Sequence, residues 1–275
     1  MSRLQSIFDK WEVANSPYLK KCGGKTLAVT YSGGKDSSVT LYMLNKTRDR
    51  YGFVIQAYLY AFPVHRYTGE SLKVLKEYWR EEGVTVNSYF PDADDSILEG
   101  VENPCRVCQN LRKKQLLTLF DMYKDRVEDL VIVSGHSLWD LAGYAVNRMV
   151  ASELSTTSDT AVSRESSSRE RFLEVSQRFY PFFKMPGAYY VYRPMLFLNK
   201  DEIEDVLKEE RIPVLDKPCK YSELRPKKVL SYYFEKFGYN FSYDNVIKFA
   251  RERLNIPDIS RFQEMSNKEF LANKI

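Results

Sequence analysis

The chain has 275 residues, 44% hydrophobic and 28% charged, and a formal net charge of +4. That length suits one large α/β domain, or one domain with an appendage, and the charge permits a basic patch without demanding one. No apolar run is long enough to span a bilayer, Met1-Ser2-Arg3-Leu4-Gln5 lacks a secretory core, and four cysteines do not make a secreted disulfide framework; a cytoplasmic protein is expected.

Residues 1–20 read as a short amphipathic helix (Leu4, Ile7, Phe8, Trp11) that gives way to a loop near Pro17. Strand patterns follow at 27–31, 53–60, 84–90 and 130–134, with helix patterns between them at 36–46, 69–82 and 107–123. This alternation predicts an α/β protein with a doubly wound, mostly parallel sheet. Residues 152–170 are rich in Ser and Thr and poor in large apolar groups, so a mobile loop is expected. Helix patterns resume at 200–210, 225–236 and 243–254. The expected organisation is a helical segment 1–24, a main domain 25–235 and a helical C-terminal extension 236–275.

Between the first strand and its helix lies Ser32-Gly33-Gly34-Lys35-Asp36-Ser37. Adjacent glycines let the backbone approach a ligand and turn its N–H groups outward, and the helix N-terminus adds donors and partial positive charge. Lys35 and the hydroxyls of Ser32, Ser37 and Ser38 complete a predicted phosphate cradle. The spacing differs from a Walker A loop, which needs GxxxxGK[ST]. In a doubly wound sheet, ligands bind beyond the carboxyl ends of the strands. Thr30, Tyr31, Tyr58 and the Gly135-His136 pair are therefore expected around the same nucleotide, with Asp36 and Asp140 as candidates for holding Mg²⁺ or orienting a substrate.

Pro104-Cys105-Arg106-Val107-Cys108 reads as a loop before a basic helix (Arg112, Lys113, Lys114), and Pro218-Cys219 comes much later. A helix starting beyond Cys108 would lower that thiol's pKa. Several arrangements suit the three cysteines: an iron–sulfur cluster with one iron left open, a redox pair carrying a persulfide, structural zinc completed by His65 or His136, or inert buried thiols. Cys22 has no partner nearby in sequence and reads as structural or incidental. Both cysteine segments lie in basic sequence (Lys217, Lys220, Arg225, Lys227, Lys228), with Tyr221 available for stacking, so RNA is an expected partner.

The glycine loop resembles the SGGxDS loop of the PP-loop ATP pyrophosphatases, the adenine nucleotide alpha-hydrolase-like proteins. Taken with Cys105-x-x-Cys108, Ser134-Gly135-His136, Arg193-Pro194-Met195, Ile212-Pro213 and Pro218-Cys219, the chain resembles the tRNA 2-thiocytidine and 2-thiouridine synthetases of that class over roughly residues 25–235. The resemblance implies a Rossmann-like, PP-loop type fold and an ATP-dependent sulfurtransferase that releases AMP and pyrophosphate. It implies that Lys35, Asp36 and Asp140 act in catalysis. It implies a [4Fe–4S] cluster on Cys105, Cys108 and Cys219, and as partners tRNA, a sulfur donor (sulfide or cysteine desulfurase-derived) and a second copy of the chain. Trp139 stands at the first of two adjacent positions where these relatives usually carry acids, and the flanking zinc fingers of the 2-thiouridine enzymes are not expected in this sequence. Alternative readings are a DNA or small-molecule sulfur-modifying enzyme and a nucleotide-binding sensor without turnover.

Overall fold

The computed structural model describes residues 2–150, 172–173, 175–185, 187 and 189–264. The predicted Ser-rich loop 152–170 falls outside them. Six strands form one sheet in the order β3-β2-β1-β4-β6-β5: β1 Thr26–Tyr31, β2 Val54–Tyr60, β3 Val86–Tyr89, β4 Leu130–Val133, β5 Phe182–Lys184 and β6 Tyr190–Tyr192. All neighbouring pairs are parallel except β5 and β6. The α/β, mostly parallel architecture is therefore observed. The chain winds outward from β1 through β2 to β3, then crosses back to lay β4 on the other side of β1. The β1/β4 junction is thus a topological switch point, where a crevice opens beyond the strand ends.

Apolar patterning explains the layers. Alternate residues of each central strand point to opposite faces. Leu27, Val29 and Tyr31 of β1 join the side chains of α1 (Arg3–Leu19), α2 (Lys35–Tyr51), α3 (Gly69–Glu81) and α6 (Lys200–Glu209) on one face. Ala28 and Ile132 meet α4 (Pro104–Met122), α5 (Leu138–Met149), α8 (Tyr243–Leu254) and α9 (Ile259–Gln263) on the other. Trp11 and Trp79 are fully buried, and truncating either to alanine costs roughly 3–5 kcal/mol by the usual large-to-small range. A further helix, α7 (Pro226–Lys236), docks on α5 through Phe234, whose ring meets Trp139 edge-on at 5.6 Å. Trp139 is thus a packing residue for α7.

Three local readings are corrected. The first helix runs through Pro17 to Leu19, a late proline being accommodated near its end. Cys105 and Cys108 lie in the opening turns of α4 rather than in a loop before it. Asn103 caps that helix, accepting from the Arg106 N–H at 3.0 Å, and Pro104 occupies its first position. The helix 138–149 has no counterpart in the sequence pattern above. It starts at Ser137, whose N–H and hydroxyl both donate to Asp140 Oδ2, at 2.9 and 3.1 Å.

Candidate nucleotide and thiol site

The glycine loop folds on its own serines. Ser32 Oγ and Ser37 Oγ hydrogen-bond each other at 3.0 Å, the Ser32 N–H donates to Ser37 Oγ, and Ser37 Oγ donates to the Gly34 carbonyl. Gly33 adopts φ of +68°, and a β-carbon there would lie 2.8 Å from Leu215 Cγ, so only glycine fits. Its carbonyl accepts the Leu215 N–H at 2.7 Å, which pins the loop to the segment leading to Cys219. Helix α2 begins at Gly34 and has no side-chain cap hydrogen bond. A helix N-terminus without a side-chain cap suits an anion.

This N-terminus opens onto a cavity of about 620 Å³ at the switch point. Of the sequence-predicted nucleotide residues, Thr30, Tyr31, Ser32, Gly34, Lys35, Asp36, Ser37, Tyr58, Gly135 and His136 line it, as does Asp140. Two predicted residues are not brought to it. Gly33 packs against Leu215 and Leu75, and Ser38 is fully buried with its hydroxyl donating to the Tyr31 hydroxyl at 3.4 Å. One residue past Ser37, the helix has turned Ser38 toward the core. Lys35 is half-exposed, and its ammonium is paired with Glu204 of α6 at 2.6 Å. His136 Nδ1 lies 2.9 Å from Ser134 Oγ. Gly135 presses against α2: a β-carbon would come within 3.0 Å of Ser37 N and 3.1 Å of Ser37 Cα.

Further residues complete the wall. Tyr60 and Tyr89 extend an aromatic side begun by Tyr58, whose ring stacks on Tyr89 at 6.2 Å. Leu116, Leu119 and Met122 of α4 supply an apolar strip, and Arg112, one turn earlier on the same helix, also lines the cavity. The strip sits at helical spacing on α4, a signal that sequence reads only as core.

The three cysteines meet beside this cavity. Cys108 is buried in a small apolar cluster with Phe62 and Leu98 and feels the charges of both Cys219 and Cys105. Burial pushes its thiol pKa up, against the pull of Arg112 and Arg225. This reverses the expectation of a lowered value: Cys108 lies inside the first turns of α4, where loss of solvent outweighs the helix end. Arg225 hydrogen-bonds Cys105; burial disfavours its charge, but the three cysteines outweigh burial and raise its pKa. Cys22 lies apart, fully buried, with burial pushing its pKa up to about 12.

Among the described residues, no three His, Cys, Asp or Glu side chains are arranged to hold a single metal ion. A cubane places each thiolate on a different iron, so cluster ligands need not converge on one point. The donor set fits such a group: three soft thiols and no carboxylate, apolar cover, and two guanidiniums to offset negative charge. His65 and His136, considered for zinc, are occupied elsewhere. His65 is a clamp that sequence reasoning did not find. Its Nδ1 lies 2.5 Å from Asp95 Oδ2, and its Nε2 accepts the Lys220 N–H at 3.1 Å, next to Cys219. Asp95 also accepts the N–H groups of Val64 and His65. Burial raises its pKa, but these hydrogen bonds outweigh burial and hold it below the usual carboxylate range.

No protein-family model matches the chain. The chain is 29% identical over 139 residues to the cytoplasmic tRNA 2-thiolation protein 1 of two Saccharomyces cerevisiae strains; the match covers 47% of this chain and 37% of the yeast proteins. It thus spans little more than a third of those curated relatives. The U34-tRNA thiolase NcsA from Methanococcus maripaludis, solved with its [4Fe–4S] cluster, superposes with a TM-score of 0.67 at 18% identity, over 93% of this chain and 80% of that one. The chain therefore shares the α/β fold of that thiolase, and in sequence it resembles part of the yeast tRNA 2-thiolation protein 1. Among the described residues, no helix is long and apolar enough to cross a membrane.

Proposed function

We propose that this chain is an ATP-dependent sulfurtransferase of the cytoplasm that adenylates a carbonyl oxygen of a tRNA base and replaces that oxygen with sulfur. The observation that carries this reading is the junction of the two sites. Arg112 and Tyr60 both line the cavity; Arg112 acts electrostatically on Cys108, and Tyr60 packs against the apolar cluster that buries it. A base placed at that junction faces the nucleotide on one side and the thiols on the other.

The loop's chemistry follows from its donors. Uncapped N–H groups of α2, with the Ser32 and Ser37 hydroxyls, receive the β- and γ-phosphates and stabilise the departing pyrophosphate. The exposed Lys35–Glu204 pair is worth about 0–1 kcal/mol, so a triphosphate competes for the ammonium. Asp36 and Asp140 are hard oxygen donors on the same wall and would hold Mg²⁺, which neutralises phosphate charge. The aromatic side from Tyr58 to Tyr89 accepts the adenine. The base oxygen attacks the α-phosphorus, pyrophosphate leaves, and the oxygen later departs within AMP as sulfur takes its place. Cys105, Cys108 and Cys219 would hold a [4Fe–4S] cluster, which when bound supplies soft iron sites able to carry sulfide from the donor. Arg112 and Arg225 would offset the negative charge of the thiolates, and the Phe62–Leu98 cover shields Cys108 from water.

Anaerobically purified protein is expected to be brown with about four irons per chain, falling on Cys105→Ala. Lys35→Ala is expected to lose most AMP and pyrophosphate formation. Colourless protein with stoichiometric zinc overturns the cluster assignment, and ADP as product overturns the assignment of the loop. Nucleosides from cells lacking the protein should lack one thiolated base.

A further inference from the structure

We infer that the solvent face of α7 is a stacking platform for single-stranded RNA, leading a substrate loop to the thiols; this rests on the tRNA reading above. Helix α7 uses Leu230 and Phe234 against α5. Its other side carries Val229, Tyr232, Tyr233 and Lys236, which fall at i, i+3, i+4 and i+7 and so form one stripe. Phe237 and Tyr239 continue it beyond the helix. The five apolar members are between 43% and 61% exposed. A helix normally hides such a stripe, so this one has a partner to meet.

Charge and position specify which partner. Residues 217–239 hold six cations (Lys217, Lys220, Arg225, Lys227, Lys228, Lys236) against two carboxylates (Glu223, Glu235). The resulting +4 equals the net charge of the entire chain. Both carboxylates are already engaged, Glu223 by Lys228 and Glu235 by Lys200 of α6. An apolar protein surface would gain nothing from that excess, whereas phosphates would. The rings are pre-assembled, with Phe237 stacked on Tyr239 at 5.9 Å and Tyr233 4.8 Å from Phe237. Aromatic faces interleaved with cations are the usual platform for unpaired bases. The N-terminal end of the stripe is Arg225, in hydrogen-bond contact with Cys105, so a strand lying along α7 ends at the thiols.

The test measures binding of bulk tRNA and of an unstructured oligouridylate by fluorescence anisotropy across a salt series, together with tRNA-dependent AMP release. Tyr232→Ala/Tyr233→Ala should weaken oligouridylate binding by about tenfold or more. Tyr232→Phe/Tyr233→Phe, which keeps both rings, should bind as wild type. Lys236→Ala should lower the salt dependence by about one ionic contact. ATP binding without RNA should be unchanged in all three. Unchanged affinity in the alanine double variant overturns the platform while leaving the thiolation reading intact, provided AMP release still needs tRNA. Wild type that binds neither RNA at low salt overturns both. A wild-type dimer that the alanine double variant converts to monomer, with RNA affinity unaltered, assigns the stripe to a second copy instead.

Discussion

Gly135 shows how a single residue sets the nucleotide site. The β4–α5 turn passes so close to α2 that a methyl group at 135 would touch Ser37 N and Cα, atoms of backbone that cannot rotate away. Gly135→Ala is expected to cost roughly 1–3 kcal/mol, the range for forced overpacking, and to weaken ATP binding because Ser37 must move. Thermal melts and ATP titration read the two effects separately. The thiols differ just as sharply. In metal-free protein at mildly alkaline pH, iodoacetamide should modify the half-buried Cys105 first, Cys108 slowly and Cys22 last, as mass spectrometry will show. Reactivity of Cys22 comparable with Cys105 would contradict its burial. Cys22 was legible as incidental from its isolation in sequence, whereas the raised pKa of Cys108 was not, because burial depends on Phe62 and Leu98 folding over it.

At the scale of elements, helix boundaries were readable where caps are local. Asn103-Pro104 is a start signal for α4, and Ser137 with Asp140 three residues on starts α5. Reading them places Cys105 and Cys108 inside a helix and gives Asp140 a structural bond as well as a place on the cavity wall. The single 3-10 turn Val64–Arg66 around His65 is different. It matters because Asp95 and Lys220, 30 residues downstream and 155 away, meet on its imidazole. Asp95 has a depressed folded pKa, so its contribution to stability is present above the unfolded value of about 3.9 and is lost as pH falls through the lower folded value. Wild type should therefore lose stability below about pH 4 more steeply than Asp95→Asn, which should already be destabilised at pH 7. Denaturant midpoints at both pH values check this, and parallel curves would remove the clamp from the account.

Across the whole molecule, strand order decides what the site contains. The reversal at β1 places the α2 N-terminus, the β4–α5 turn and the inner side of α4 around one crevice. Arg112 bridges it: its guanidinium donates to the Phe62 carbonyl at 2.6 Å, it lines the cavity, and it acts on Cys108. Arg112→Ala should therefore leave AMP formation within a few-fold of wild type but sharply lower the thiolated product formed per AMP released. An equal fall in both would show that Arg112 serves the nucleotide alone.

Sequence alone determined the alternating α/β class, the glycine loop at 32–37 and the three thiols, because each is written in residues that are neighbours or share one helical or strand period. Only the tertiary structure decided that Ser38 and Gly33 face away from the cavity, that Tyr60 and Arg112 lie between the cavity and the Cys108 cluster, and that Leu215 and His65 hold the Cys219 segment in place. Those contacts join residues up to 182 positions apart in the case of Gly33 and Leu215. They follow from strand order and from which helix covers which face, and no local spacing encodes either.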